Sequence, residues 1–499
     1  MKKIISILLA FLMAFSAVNV AFASEESEGE ASFCSCENVP VVYVPGFGAG
    51  IYLNPESDSR KAIYPPSGSD IISAVPDIIF AVVGVLTGNE PFFGKMAVRA
   101  ANKLLAKLAC DENGDPVYNT SIKPFEYPEY DRHQNVTNDV IDRSFDFEYD
   151  WRLSPIDNAH SLKDFIEHVK KLTGHGTVHI MCHSQGNTVV AAYLELYGNE
   201  GIEKIAFLSP AYQGISILGS LYRKEADISK KSGELLTFLR TVMGEGIGTD
   251  VVSGLVGTLN TLGFTDSLLN FLQKYLTSQF DLVFNDCLKP AFGNLAGTWA
   301  FVPDEYFSDA VETMFGDNPD APVLKKIRYY HDNVQVKLEE ILQETMDNGT
   351  DIIICAGYNI SSIPVSLTPA VHADFLIDTE YMSIGATCAP LGETFADDYK
   401  QAVDCGHNHI SPDRCIDAST GAFSEYTWYF SGLNHNDFPE SYHIFLNTFF
   451  FAEERITVST YEEYPQFMKI NNDGNLVPVE ESKEDENGFF GFISSLFAA

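Results

Sequence analysis

The sequence predicts an α/β protein with a mostly parallel sheet covered by helices, and three observations predict it. Short apolar runs alternate with segments of helical spacing, the pattern of a parallel sheet whose crossovers are helices. At one junction, "VHIMCHSQGN" (178–187), an apolar strand breaks sharply into a helix with Ser184 at the apex. On either side of that break the alternation continues, so that β-α-β-α-β surrounds Ser184 without a gap.

The elements follow in order. "VPVVYVPGFG" (39–48) reads as a strand ending in a glycine-rich turn, and "SFDFEYDW" (144–151) as a second strand. Between 161 and 174, Leu162, Phe165, Ile166, Val169 and Leu172 share one helical face, and Gly174 ends the helix. The strand into Ser184 comes next, then a helix to Gly198 and the strand "KIAFLSP". The chain returns to the sheet with "DIIICAGY" (351–358) and with "EYTWYFSG" (425–432), read as the last strand, and then forms the helix "SYHIFLNTFFFAEE".

Two insertions interrupt this order. Residues 51 to about 140 hold the apolar stretch "IISAVPDIIFAVVGVLTG" (71–88) and a long polar connection. Pro76 and Asp77 make that stretch a buried or interfacial helix rather than a membrane span. Residues 213 to about 322 hold leucine- and phenylalanine-rich helical segments, including "GELLTFLRTVMG" and "DVVSGLVGTLNTLG", placed to form a helical cap after the strand that follows the Ser184 helix.

The opening "MKKIISILLAFLMAFSAVNVAFAS" combines two lysines, an apolar run and Ala21-x-Ala23, which reads as a signal peptide over 1–23. The expected mature chain is exported, facing the cell envelope or the exterior. It comprises a catalytic domain over 24–480 and an acidic linker with an apolar tail over 481–499. In that tail Phe489, Phe492, Ile493, Leu496 and Phe497 fall on one helical face suited to a lipid interface. With 32 Lys+Arg against 69 Asp+Glu the net charge is −37, which excludes nucleic acid as a partner.

Nine cysteines in an exported chain suggest disulfides and leave at least one thiol unpaired. Cys182 and Cys355 lie in apolar surroundings and read as buried thiols. Cys34, Cys36, Cys110, Cys287, Cys388, Cys405 and Cys415 are the candidates for bridges. In "DCGHNHISPDRC" (404–415), Cys405, His407, His409 and Cys415 could gather around zinc, but their spacing matches no standard zinc pattern. A loop closed by a Cys405–Cys415 bridge is the preferred reading, so neither a metal nor a cofactor is expected.

A serine hydroxyl is a weak nucleophile near neutral pH and needs a histidine to take its proton and a carboxylate to orient that histidine. In sheets with a serine elbow these arrive downstream of the serine, acid before histidine. His435, in "FSGLNHNDF" between the strand at 425–432 and the final helix, is the expected base, ahead of His443 inside that helix. For the acid, "FLIDTEYMSIGAT" offers Asp378, with Glu380 as the alternative and Asp417 of "RCIDAST" as a third choice. Two backbone N–H groups must face the developing oxyanion, and Gln185 and Phe47 are the expected donors.

"VVYVPGFGAG", "FEYDWRL", "CHSQGN", "LSPAYQGI" and "TWAFVP" occur in an order and spacing that resembles the lecithin:cholesterol acyltransferase and lysosomal phospholipase A2 family. The likeness runs from about 39 to 450. It implies the α/β-hydrolase fold and an acyl-enzyme mechanism on lipid esters, with Ser184, Asp378 and His435 as triad and Phe47 and Gln185 as oxyanion donors. Cys182 stands where the family has the first glycine of its elbow, and Thr379 follows Asp378 where the family's D-G-x-V has glycine. Competing readings are a catalytically inactive binding protein of the same fold and an esterase or thioesterase for non-lipid substrates.

Overall fold

The computed structural model describes residues 39–123, 144–225, 278–361, 371–471 and 473–480. The expected signal peptide, Cys34 and Cys36, the two cap segments within 233–263 and the tail face lie outside these residues.

The central sheet contains β1 (Val41–Val44), β2 (Ser144–Asp146), β3 (Val178–His183), β4 (Ile202–Leu208), β5 (Asp351–Tyr358), β6 (Thr427–Ser431), β7 (Phe467–Ile470) and β8 (Leu476–Pro478). Their spatial order is β8-β7-β6-β5-β4-β3-β1-β2. All neighbouring pairs are parallel except β7 with β8. The order, with the serine turn at the end of β3, is that of an α/β-hydrolase fold. β6 is therefore not the last strand: two short strands extend the sheet beyond it. They escape notice in sequence because they run for only 4 and 3 residues, bordered by "NNDG".

Because successive strand residues point to opposite faces, the sheet feeds two cores. Val42, Val44, Ile180, Cys182, Ile205, Phe207, Ile352 and Ile354 belong to one. Val41, Met181, Ala206, Leu208, Ile353, Cys355 and Phe430 belong to the other. The first core is covered by α3 (Pro155–Thr173) and α4 (Gly186–Tyr197), and the second by α9 (Glu440–Phe451). In α3 the Ser154 hydroxyl accepts from the Ile156 N–H at 3.2 Å, and Gly174 ends the helix at φ 72°, a conformation that costs glycine little.

The first insertion folds as a small antiparallel sheet (Ile51–Leu53, Lys61–Tyr64, Thr120–Ser121) with two packed helices, α1 (Gly68–Leu86) and α2 (Glu90–Leu105). The connection read from sequence as polar thus contains a helix. Asp77 of α1 is buried and paired with Lys103 at 2.6 Å and Arg99 at 3.3 Å on α2. Ile72, Ile79, Phe80 and Val83 on α1 are exposed. No helix among the described residues is long and apolar enough to cross a membrane.

In the second insertion the described helices are α5 (Ser216–Tyr222), short helices between Phe280 and Trp299, and α6 (Asp304–Phe315); α7 (Val323–Tyr330) and α8 (Leu338–Asp347) follow it and lead into β5. The seven described cysteines, Cys110, Cys182, Cys287, Cys355, Cys388, Cys405 and Cys415, are all unbridged, so the expected Cys405–Cys415 bridge is corrected.

Candidate active site

Ser184 sits at the C-terminal end of β3 with φ 52°, a left-handed conformation that a non-glycine residue adopts only where its surroundings impose it. Its N–H donates to Leu208 O at 3.1 Å, and the Asn187 amide donates to Ser184 O at 2.8 Å and Leu208 O at 3.1 Å. Two glycines make room for the turn. A Cβ on Gly186 would fall 2.1 Å from Val44 O, and one on Gly46 would fall 2.7 Å from Ser184 Cβ.

Cys182, in place of the expected glycine, is fully buried and directs its Sγ to Asn187 Oδ1 at 3.2 Å and to Ala206 O at 3.5 Å. The thiol therefore orients the amide that clamps the turn. Burial raises its pKa well above the usual thiol range and keeps it protonated as a donor.

His435, on the loop after β6, places Nε2 at 2.9 Å from Ser184 Oγ. Its Nδ1 lies 2.7 Å from Asp374 Oδ2, and its backbone N–H donates to Asp374 O at 2.8 Å. The other Asp374 oxygen accepts from the N–H groups of Leu376 at 3.0 Å and Ile377 at 2.8 Å. Burial works against the charge of Asp374, but His435 and these amides outweigh it and hold the carboxyl below its ordinary value. Ser184, His435 and Asp374 are all buried.

The acid expected from sequence is thereby corrected: Asp374, not Asp378, meets the histidine. Asp378 lies one turn further on, where its Oδ2 accepts from the Ser216 N–H at 2.9 Å. Glu380 is exposed, and Asp417 is taken up by Tyr399, Ala402 and Ser419 around a hairpin. His443 lies within α9. A signal for Asp374 was present, because Asp374-Phe375-Leu376-Ile377 is D-G-x-V with Phe for Gly and Ile for Val. Phe375 holds φ 90°, the conformation that glycine would adopt without strain. The glycine's absence hid the motif.

His183 was also missed. Its Nε2–H donates to His435 O at 2.8 Å, and the two rings lie 4.7 Å apart. Burial first, then the neighbouring His435, pushes its pKa down to about 3, so the ring is a neutral donor.

Phe47 follows Gly46, which packs on Ser184, and its ring lies 4.0 Å from that of Trp151. The "YDWR" segment fixes this turn. Tyr149 Oη donates to Pro45 O at 2.8 Å, Trp151 Nε1 to Ala49 O at 3.1 Å, and Gln185 Nε2 to Trp151 O at 2.9 Å. Arg152, fully buried, forks onto Asp150 at 2.9 and 2.7 Å and onto Thr120 at 3.0 Å, which ties in the first insertion. "SPAYQGI" meets "TWAFVP" through Ile215 N–H to Phe301 O at 2.9 Å. A Cβ on Gly297 would fall 2.1 Å from Trp151 O, so the second insertion also closes on the serine turn.

The site is a hydroxyl, an imidazole and a carboxylate in hydrogen-bonded series at the end of a parallel strand. It can take a proton from an attacking alcohol and stabilise the imidazolium that forms. Residues 118–225 match the family model of lecithin:cholesterol acyltransferase, a span that carries "YDWR", Ser184 and "SPAYQGI". Among solved structures, a chain of "The crystal structure of Tle4-Tli4 complex" is similar at 9% identity and a TM-score of 0.32, over 83% of this chain and 96% of that one. A search of curated proteins gives no match.

Proposed function

We propose that this chain, an α/β-hydrolase-fold protein similar to the lecithin:cholesterol acyltransferase family over residues 118–225, is an exported serine hydrolase or acyltransferase of lipid carboxyl esters. The observation that carries the reading is the unbroken series Ser184 Oγ, His435 Nε2, His435 Nδ1 and Asp374 Oδ2, at 2.9 and 2.7 Å.

In this reading Ser184 Oγ attacks the ester carbonyl while its proton passes to His435 Nε2. Asp374 holds the Nδ1–H and offsets the imidazolium charge. The N–H groups of Gln185, at the start of α4, and of Phe47, next to the glycine that touches Ser184, receive the oxyanion. Collapse of the tetrahedral adduct breaks the ester C–O bond, and the His435 proton leaves with the alcohol. An acyl group then rests on Ser184. Water, or the hydroxyl of an acceptor, repeats the sequence in reverse and removes it.

The family match supports a lipid acyl ester as substrate, and the exposed apolar row on α1 supports work at a lipid surface. Export rests on the leading 23 residues of the sequence. A fluorophosphonate probe should label wild type at Ser184 and leave Ser184→Ala unlabelled. Product analysis on mixed phospholipid vesicles should give free fatty acid or a transacylated alcohol with wild type only. Absence of labelling in folded wild type overturns the proposal.

A further inference from the structure

We propose that Cys405, His409 and Glu425 form a structural zinc site, with His407 as the fourth ligand, at the end of β6 remote from His435. The ligand atoms of the first three all lie within 4.8 Å of one another. In tetrahedral zinc, bonds of 2.0–2.3 Å put ligand atoms roughly 3.3–3.8 Å apart, so small movements bring these three onto one ion, and the exposed His407 side chain turns in to complete the shell.

The proton placement at His409 is the first argument. Gln466 Nε2 donates to Ser424 O at 2.6 Å and to Thr427 O at 3.1 Å, which fixes the direction of its amide. Its Oε1 must then accept from His409 Nδ1–H, 2.7 Å away. That leaves Nε2 as the ring nitrogen that faces Glu425 Oε1, across 3.1 Å. An imidazole nitrogen and a carboxylate oxygen set this close can share one metal ion. The His409 side chain is 1% exposed, so water does not readily resolve the contact. A histidine whose far nitrogen donates to a fixed carbonyl is also the arrangement that orients a metal ligand.

The surrounding loop is shaped around the same point. His407 Nδ1 reaches the same Glu425 oxygen at 2.5 Å. The Gln401 side chain accepts from the His409 N–H at 2.7 Å and donates to His407 O at 3.0 Å, with its N–H directed at Cys405 Sγ across 3.7 Å. Cys415, the cysteine expected to bridge Cys405, faces instead the carbonyls of Asp413 at 3.5 Å and Glu393 at 3.8 Å. A thiolate and imidazoles select a borderline-soft ion such as zinc over calcium or magnesium. On binding, the Cys405 S–H proton is released and a Zn–S bond forms. Thiolate and carboxylate together then balance the two charges of the ion.

Glu425 lies two residues before β6, and Gln466 immediately precedes β7. Zinc here clasps the 379–426 segment to the strand that delivers His435. The sequence spacing gave no zinc pattern because one ligand, Glu425, lies outside the cysteine-bracketed loop.

The test is equilibrium dialysis of the full chain, stripped with chelator, against zinc, with metal counted by mass spectrometry. Wild type should take up one equivalent. Cobalt in place of zinc should give a thiolate-to-metal charge-transfer band. Cys405→Ser changes an exposed side chain, so the fold survives, and it should lose both signals. Gln466→Leu, which removes the acceptor for His409 Nδ1–H, should weaken binding by about 10–100-fold, as losses of outer partners do. Zinc should also protect Cys405 from a thiol reagent. Failure of wild type to bind, or retention of the equivalent and the cobalt band by Cys405→Ser, overturns the proposal.

Discussion

The His183 ring donates from Nε2 to the main-chain carbonyl of His435 at 2.8 Å, so the residue before the serine fastens the loop that carries the base. Sequence order placed these two groups 252 positions apart. Removing the donor should let the His435 loop drift while Ser184 and Asp374 stay in place. His183→Phe keeps a ring against Phe438 and should lower kcat by about 10–100-fold, the scale of small misplacements in a site, with KM little changed. His183→Gln, which retains an N–H donor, should recover part of the loss. Equal rates in all three proteins would remove His183 from any positioning role.

Asp374→Asn should lower ester turnover by about four orders of magnitude, because the amide cannot hold the His435 tautomer that accepts the serine proton. Asp378→Asn should change turnover less than about tenfold, since Asp378 meets Ser216 and not His435. Steady-state rates on a short soluble ester decide between them, and the reverse ranking would restore Asp378 as the acid.

Asp378 should instead govern stability. Burial pushes its carboxyl up to about 6, from an ordinary value of 3.8. The folded state therefore holds the proton more tightly than the unfolded chain does. Its contribution is fully present below the ordinary value and is lost as pH rises through about 6. A two-unit shift corresponds to about 3 kcal/mol at most. Asp378→Asn retains an acceptor for the Ser216 N–H and carries no charge. Its melting temperature relative to wild type should rise between pH 4 and pH 7.5, and a difference independent of pH would exclude this role.

Much of the fold was legible because its signals are local. β5 matches the apolar run at 351–358, and α3 ends at the glycine that sequence marks as its stop. Ser184 was legible because a strand-to-helix break with small residues has few other uses. The acid was not, since Asp374 and Asp378 are 4 residues apart on one loop and only the tertiary path of that loop decides which reaches His435. Cys182 was legible as a small residue at the first glycine position. Its bond to Asn187 was not, because side-chain direction at a strand end depends on the turn that follows.

The outer face of α1 exposes Ile72, Ile79, Phe80 and Val83, while its inner face is held by Asp77 to Lys103 and Arg99. These four side chains recur at helical spacing, so they lie along one side of the helix. Buried Asp77, paired with Lys103 and Arg99, fixes which side that is. An apolar row on a protein of net charge −37 should favour zwitterionic over anionic lipid, because the charge repels the latter. Replacing Ile79 and Phe80 together by Ser removes two large exposed side chains without opening the core, although Phe80 also touches Phe92 with ring centroids 6.5 Å apart. The double variant should therefore fold, bind zwitterionic vesicles several-fold more weakly and hydrolyse vesicle lipid correspondingly more slowly. Hydrolysis of a short soluble ester should be unchanged, because the Ser184–His435–Asp374 series lies elsewhere. Co-sedimentation and the two assays separate the cases: equal loss on both substrates would make α1 a support of the fold, and no loss on vesicles would leave its apolar face without a part in lipid contact.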